Sequence, residues 1–485
     1  MQGATPPPLP NCGGDVCGHP FHASPHRQNA SGRDMHDLRV LAPSIVCAYV
    51  RAVFPTGTAQ QRMKLDEGHT ELMGEMMLRT VANRSMRVCA LLTVFTSAID
   101  AQPPRDSAGI LIVDNARPAW TAAQQLSLGA KPRLAIGDNK DTSYRFLRVE
   151  GAMRLPDGRI AAIDVALKRL RLFDSQGRIV SSEGSGPWQV PGVHWVRRLR
   201  GDTIAIRTGF ASIMLFSNDG KFVRTVQLPP GTESKQGKAF FLYEVLTSKL
   251  GVAAQTADPP AYLAGSRFVD SIALKLVTDS GANERELGTL PYLVFEQRAN
   301  GINTVFLAPT GVFAANDDRF YAGFGDEFAI RAYGADGKLQ SIIRRAWKPV
   351  PITDDDWEKW VVASTDRQVR MAGPERVEQL EHWRQYPRAS ELPAYSQLII
   401  DRSGRLWVRE AHWQDAIASA YLNGTPTVPS KWSVFDARGR WLGDVSMPTG
   451  FRPFEIGSDY VIGSLRTDGV LQVVLYDLGL KRPSR

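Results

Sequence analysis

Beyond residue 89 the chain has no cysteine: Cys12, Cys17, Cys47 and Cys89 all lie near its start. Most of its length therefore has no disulfide and no thiol chemistry, and a large core must hold it together. Histidine is almost as scarce. Past residue 101 only His194, His382 and His412 remain, each followed directly by Trp. Three dispersed imidazoles make a poor metal centre, so packing or edge hydrogen bonding is their expected role. No apolar run approaches the roughly 20 residues of a membrane-spanning helix. There is no G-x-S-x-G, no H-E-x-x-H, no phosphate-cradling glycine loop and no D-x-[DN]-x-[DN]-G calcium loop. No cofactor is implied.

One short stretch, apolar apart from Thr93, Thr96 and Ser97, has a characteristic setting. Arg79, Arg84 and Arg87 precede a run from Val88 to Ile99, and Ala101 and Gln102 follow it. A positive flank, an apolar core of about 7–15 residues and a small exit residue make up a secretory signal. Residues 86–101 are thus read as a signal peptide cleaved after Ala101, placing the protein in the periplasm or outside the cell. Residues 1–85 carry TPPPLP and scattered histidines and glycines, with no period of 2 or 3.6. They are expected to be a disordered or mis-called extension, with the true start at Met76, Met77 or Met86. Cys12, Cys17, His19 and His22 have ligand types that zinc accepts. They lack the long spacer of a zinc finger, and a chance cluster is the expectation.

The chain of 485 residues carries 58 Lys+Arg against 50 Asp+Glu, net +8. Its basic clusters, ALKRLRLF and WVRRLRGD, alternate cations with Leu, Val or Trp, as strands with one wet face do. A nucleic-acid surface would need a concentrated basic stripe with interleaved aromatics, and none is expected.

What the sequence does have is a repeat. GAMRLPDGRIAAID leads into LRLFDSQGRIVSS, and WVRRLRGDTIAIRT into ASIMLFSNDGKFVRTVQLP. GVFAANDDRFYAGF leads into FAIRAYGADGKLQSIIR, SQLIIDRSGRLWVRE into KWSVFDARGRWLGDVSMP, and RPFEIGSDYVIGSLR into LQVVLYDLGLKR. A weaker copy, AYLAGSRFVD into SIALKLVTDSGANERELG, fills the gap after the second. Period-2 apolar runs joined by DG, GD, DD, SG and SD turns signal antiparallel hairpins. Gly177, Gly220, Gly281, Gly337 and Gly439 sit where such turns need positive φ. Repeats of about 40–50 residues with four strands each point to a β-propeller, here an all-β, six-bladed one over residues 118–481. The last unit is one strand short, and QQLSLGAKPRLAIG (124–137) is expected to pair there and close the ring. Residues 352–388 break the pattern and read as a short helical insertion between blades 4 and 5. Thr353 caps its first helix, Pro374 opens its second, and Val377, Leu380 and Trp383 lie along one side.

MRLPDGRIAAID with LRLFDSQGRIV, LIIDRSGRLWVRE, KWSVFDARGRWLGDV and DYVIGSLRTDGV resembles bacterial six-bladed propeller proteins related to the NHL-repeat group. The resemblance implies a fold and says little of activity.

In such a fold ligands are expected at one mouth of the channel, on loops after the second strand of each blade. Asp164, Arg207, Arg409, Glu410, His412 and Arg466 fall there, while Trp407 reads as a core aromatic. Guanidiniums facing one mouth suit a carboxylate or other anion. The expected function is non-catalytic binding or scaffolding, with a protein or small anionic ligand as partner. The alternative is a lactonase-like hydrolase holding Ca2+ through Glu, Asn and Asp. Asn218, Asn283 and Asn316 read as turn residues, which gives that alternative little support. A lyase-type propeller would want metal-binding histidines that this chain lacks.

Overall fold

The structure, a computed structural model, describes residues 105–480 apart from 138–139, 184–192, 200–202, 209–211, 228–239, 247–248, 257–264, 278–282, 300, 317–318, 369–372 and 415–425. The proposed extension, signal peptide and Cys12/Cys17/His19/His22 cluster lie outside these residues.

Tight polar turns and period-2 strands build six sheets among the described residues, antiparallel but for one added strand. Sheet 1 runs Val149–Arg154, Ile160–Asp164, Arg169–Phe173, Ile179–Glu183. Sheet 2 runs Val193–Arg198, Ile204–Thr208, Ser212–Phe216, Phe222–Gln227. Sheet 3 has five strands, Phe240–Leu246, Lys249–Thr256, Arg267–Val277, Asn283–Arg298 and Gly301–Thr304. Sheet 4 contains Val312–Ala315, Arg319–Gly323, Ala329–Gly334 and Leu339–Arg345, sheet 5 Gln397–Ile400, Leu406–Arg409, Ser430–Phe435 and Trp441–Met447. Sheet 6 contains Phe451–Ile456, Tyr460–Thr467 and Val470–Leu480.

The turns explain themselves chemically. In Asp174–Arg178 the Gly177 amide donates to the Asp174 carbonyl (3.0 Å), and the Arg178 guanidinium donates to the Asp174 carboxylate (2.7 Å). Asp401–Arg405 and Asp436–Arg440 repeat the device. Gly177 and Gly439 both have φ +83°, and a Cβ on Gly439 would come within 2.7 Å of Ile343.

The core lies between successive sheets. Ile163, Leu170 and Met153 pack on Ile204, Ile206 and Phe216 between sheets 1 and 2. Similar clusters join sheets 3 and 4, 4 and 5, and 5 and 6. Ile462, Val473 and Tyr460 of sheet 6 pack on Val149, Ile160 and Phe173 of sheet 1, bringing the last sheet against the first. Side chains of the first two strands of sheet 3 lie outside the description, and no shared cluster joins sheets 2 and 3 among the described residues. This mostly β arrangement of four-stranded sheets is consistent with a β-propeller.

The expected closing strand is found. Leu126–Leu128 pairs with Leu478, Gly479 and Leu480, and Leu134–Ile136 with Val473, Val474 and Leu475. The chain before it forms a belt that the sequence did not foretell. Ile110–Asn115 adds in parallel to Leu339–Arg345 of sheet 4. Buried Asn115 then donates to the Arg344 and Gly439 carbonyls and accepts from the Trp441 amide (2.8 Å). The Trp120 amide reaches the Leu442 carbonyl (2.7 Å) before the chain enters sheet 6. Three outer edges are covered by one segment, which blunts their tendency to pair elsewhere.

Two helices, α1 (Asp354–Gln368) and α2 (Pro374–Arg384), separate the last strand of sheet 4 from the first of sheet 5. Thr353 caps α1 as expected: its hydroxyl accepts from the Asp356 amide (3.1 Å) and donates to the Asp356 carboxylate. Leu380 is buried and Trp383 half-buried, but Val377 is 64% exposed. It sits about 60° around the helix from Leu380, at the edge of the face that meets α1. Sheet 3 also departs from expectation. RFVD and SIALKLV are not separate strands but one, Arg267–Val277, bent by a register shift between Asp270 and Ser271. The Gly281 turn falls outside the described residues. No helix among the described residues is long and apolar enough to cross a membrane.

Candidate functional site

The first strand of each sheet runs from a loop end, where sheets connect to one another, to a turn end, where tight hairpins join first to second strands. Register fixes which residues share an end. Asp164 pairs with Val149, Arg409 with Gln397 and Arg207 with Trp195, whereas Ile160 pairs with Arg154 and Leu406 with Ile400. The expected site residues therefore lie at the loop end, about 15 Å of strand away from the turn end.

At the loop end two of the six are occupied by structural contacts. Asp164 is fully buried and accepts from the Leu147, Arg148, Ala166 and Leu167 amides at 2.7–3.2 Å, which fixes the turn after its strand. Arg171, read as facing solvent, is instead 1% exposed, with Asp164 3.8 Å away. Its guanidinium donates to the Ser143 and Arg145 carbonyls and lies 4.0 Å over Phe146. Glu410 reaches past its chain neighbour Arg409 to two other cations. It accepts from Arg345 of sheet 4 (2.7 Å) and from Lys431 (3.1 Å), bridging two sheets. Burial acts to lower Lys431, but its bonds to Glu410 and Asp444 outweigh this and leave it raised. Arg207 and Arg409 are buried, Arg466 half-buried and His412 exposed, its Nδ1 accepting from the Gln414 amide (3.2 Å). These four approach the loop end from sheets 2, 5 and 6. Trp407 is a core residue as expected, its indole donating to Asp401.

The helix pair stands at this end. Trp357 and Trp360 stack at 4.7 Å, Trp383 meets Trp360 edge-on, and Phe306, from the connection between sheets 3 and 4, lies 4.2 Å from Trp360. Trp413, just past His412, packs on the same cluster.

A cavity of about 180 Å³ lies at the other end. It is walled by the first strands of sheets 1, 2, 4, 5 and 6, through Met153, Arg198, Ala315, Ile400 and Phe454 among others. Its polar rim carries Arg197, Arg198, Asn316, Asp401, Arg402 and Glu455. Asp401 is spent on its own turn, accepting from the Ser403 and Arg405 amides, the Arg405 guanidinium and the Trp407 indole. Glu455 accepts from the Arg154 amide (3.2 Å), the Tyr460 hydroxyl (2.5 Å) and both its oxygens from Arg402 Nη2 (3.0 and 3.1 Å). Burial first, then the Glu455 carboxylate, holds the Tyr460 hydroxyl well above its ordinary range. Both acids are thus matched by cations, and the rim carries three guanidiniums, of Arg197, Arg198 and Arg402, against two carboxylates.

Asn316, read only as a turn residue, both accepts from the Arg319 amide (2.9 Å) and lines this cavity. Sequence reasoning missed the rim altogether. The signal was available: Arg198, Asn316, Arg402 and Glu455 all fall at or just before the first turn of their repeat.

No protein-family model and no curated protein matches the chain. Among solved structures it is similar to a candidate exported protein from Bacteroides fragilis, at 12% identity and TM-score 0.42 over 76% of this chain and 100% of that one. It is similar to a member of the DUF4221 family from Bacteroides vulgatus, at 12% and 0.44 over 74% and 100%. It is also similar to a gluconolactonase from Xanthomonas campestris, at 13% and 0.32 over 75% and 99%.

Proposed function

We propose that the six sheets close as a six-bladed propeller of the NHL-repeat kind, with the helix pair inserted between blades 4 and 5. In this reading the protein is exported with cleavage after Ala101, and it binds a small anionic ligand in its channel without turning it over. The channel cavity carries the reading: five sheets contribute first strands to one small, partly polar space with more guanidinium than carboxylate at its rim. Drug-sized sites span about 300–1,000 Å³, so the ligand is smaller than those. The neutralised state of Asp401 and Glu455 favours binding over hydrolysis, since each is tied to a cation and to neighbouring donors. Asp164, Arg207, Arg409, Glu410, His412 and Arg466 keep their proposed place at the loop-end mouth, with Asp164 and Glu410 supporting it rather than touching ligand.

A thermal-shift screen of small organic anions tests this. A saturable rise in Tm that Ala315→Phe abolishes is expected. A tightly held divalent cation, a Tm that drops in EDTA and lactone hydrolysis would overturn it in favour of the hydrolase.

A further inference from the structure

The cavity's lining mixes apolar and polar residues, and in part its polarity follows the chain. Ala315 is followed by Asn316, Ile400 by Asp401 and Arg402, and Phe454 by Glu455. In sheets 4 and 5 the apolar residue ends the first strand and the polar one begins the turn, because the hairpin needs a polar turn just where the strand reaches solvent, whereas in sheet 6 Glu455 still lies in the strand, one residue before Ile456. Two sheets repeat that order, and Met153, Ala315, Ile400 and Phe454 give the space apolar walls beside charged groups.

Arg402 is the cation best placed to read a ligand there. Its Nη2 is committed to Glu455 and to the Arg154 carbonyl (2.6 Å), while Nε and Nη1 make no hydrogen bond among the described residues. Glu455 holds the guanidinium in position, and Tyr460 lies beneath it, 5.9 Å from Cζ to the ring centre. A side chain fixed on one nitrogen, with donors left on the others, is a preorganised donor site for one oxyanion.

Resting on the binding reading above, we infer that the channel ligand is a short amphipathic monocarboxylate, its carboxylate on Arg402 at the turn-end mouth and its apolar tail between Met153, Ala315, Ile400 and Phe454. A multiply charged inorganic anion would fit the guanidinium but leave the apolar walls facing charge, which costs solvation without return. An alcohol or amine of the same length would fit the walls but leave the Arg402 donors without a charged acceptor. Size follows from volume: a dry cavity of about 150 Å³ accommodates benzene, so a ligand of roughly six to ten non-hydrogen atoms fits here.

Isothermal titration of the full chain with benzoate, hexanoate, acetate, phosphate, hexanol and hexylammonium tests the inference. Benzoate or hexanoate should bind at least tenfold tighter than any of the other four. Arg402→Gln should weaken benzoate at least tenfold, and Arg402→Lys, which keeps charge beside Glu455, should weaken it less. The ligand series on the unaltered protein stands even if a variant folds poorly. If small molecules bind and Ala315→Phe blocks them, but phosphate or hexanol is preferred, the carboxylate assignment is overturned and channel binding stands. If nothing in the series binds and no other small anion raises Tm, both fall.

Discussion

Asp270 sits at the bend in sheet 3, half-buried, and burial pushes its carboxyl up to about 6. In an unfolded chain the group titrates near 3.9. The folded state therefore holds the proton more tightly, so the contribution of Asp270 is most favourable below about pH 4 and is lost as pH rises through 6. Unscreened, that shift would be worth about 3 kcal/mol; with much of the side chain still meeting water, about 1 kcal/mol is the better scale. Asp270→Asn should raise Tm by a few degrees at pH 7.5 and by nothing at pH 3.5, measured by calorimetry. An equal change at both values would mean that burial of charge is not the cause. Side chains with local partners were the legible ones. Thr353 and the turn residues Asp174 and Gly177 act within a few positions of themselves, so their roles could be read from sequence. Arg171 could not be read, because what buries it is the Ser143–Phe146 connection, which arrives from elsewhere in the chain.

At the scale of elements, strands that alternate cleanly were legible, and strands shaped by a bulge were not. One bend turned RFVDSIALKLV into a single strand where the polar Asp270–Ser271 pair suggests a break. The parallel addition of Ile110–Asn115 to sheet 4 was likewise hidden, since nothing local to ILIVDN names its partner. The helix pair was legible in outline through its cap and prolines. Its stability rests on a cluster of Trp357, Trp360, Val361 and Leu380 rather than on helix propensity. Trp360→Ala should cost about 3–5 kcal/mol locally, the scale for removing a buried large aromatic. Hydrogen exchange should show residues 354–384 losing protection while sheets 1 and 6 keep theirs. Loss of protection throughout would mean that the helices hold up the sheets.

For the whole molecule, the repeat of hairpins pointed to a mostly β, propeller-like arrangement, and an unpaired edge in the last unit pointed to the strand that fills it. The cavity was not legible at this scale. Its walls come from five separated stretches, and only the register of first against second strands tells which residues share an end. Cavity, rim and mouth all depend on the sheets closing on themselves through pairing between the start of the described chain and its end. Leu128 lies directly opposite Leu478, next to the hydrogen-bonded pair of Gly129 and Asp477, so the two form a close, non-hydrogen-bonded pair. From Gln102 on the chain has no cysteine, so Leu128→Cys with Leu478→Cys introduces one pair of thiols. In air-oxidised protein the pair should form a disulfide nearly completely, raising stability by about 2–5 kcal/mol over the reduced form. Two free thiols in well-folded oxidised protein, with the same Tm as the reduced form, would contradict closure between these strands.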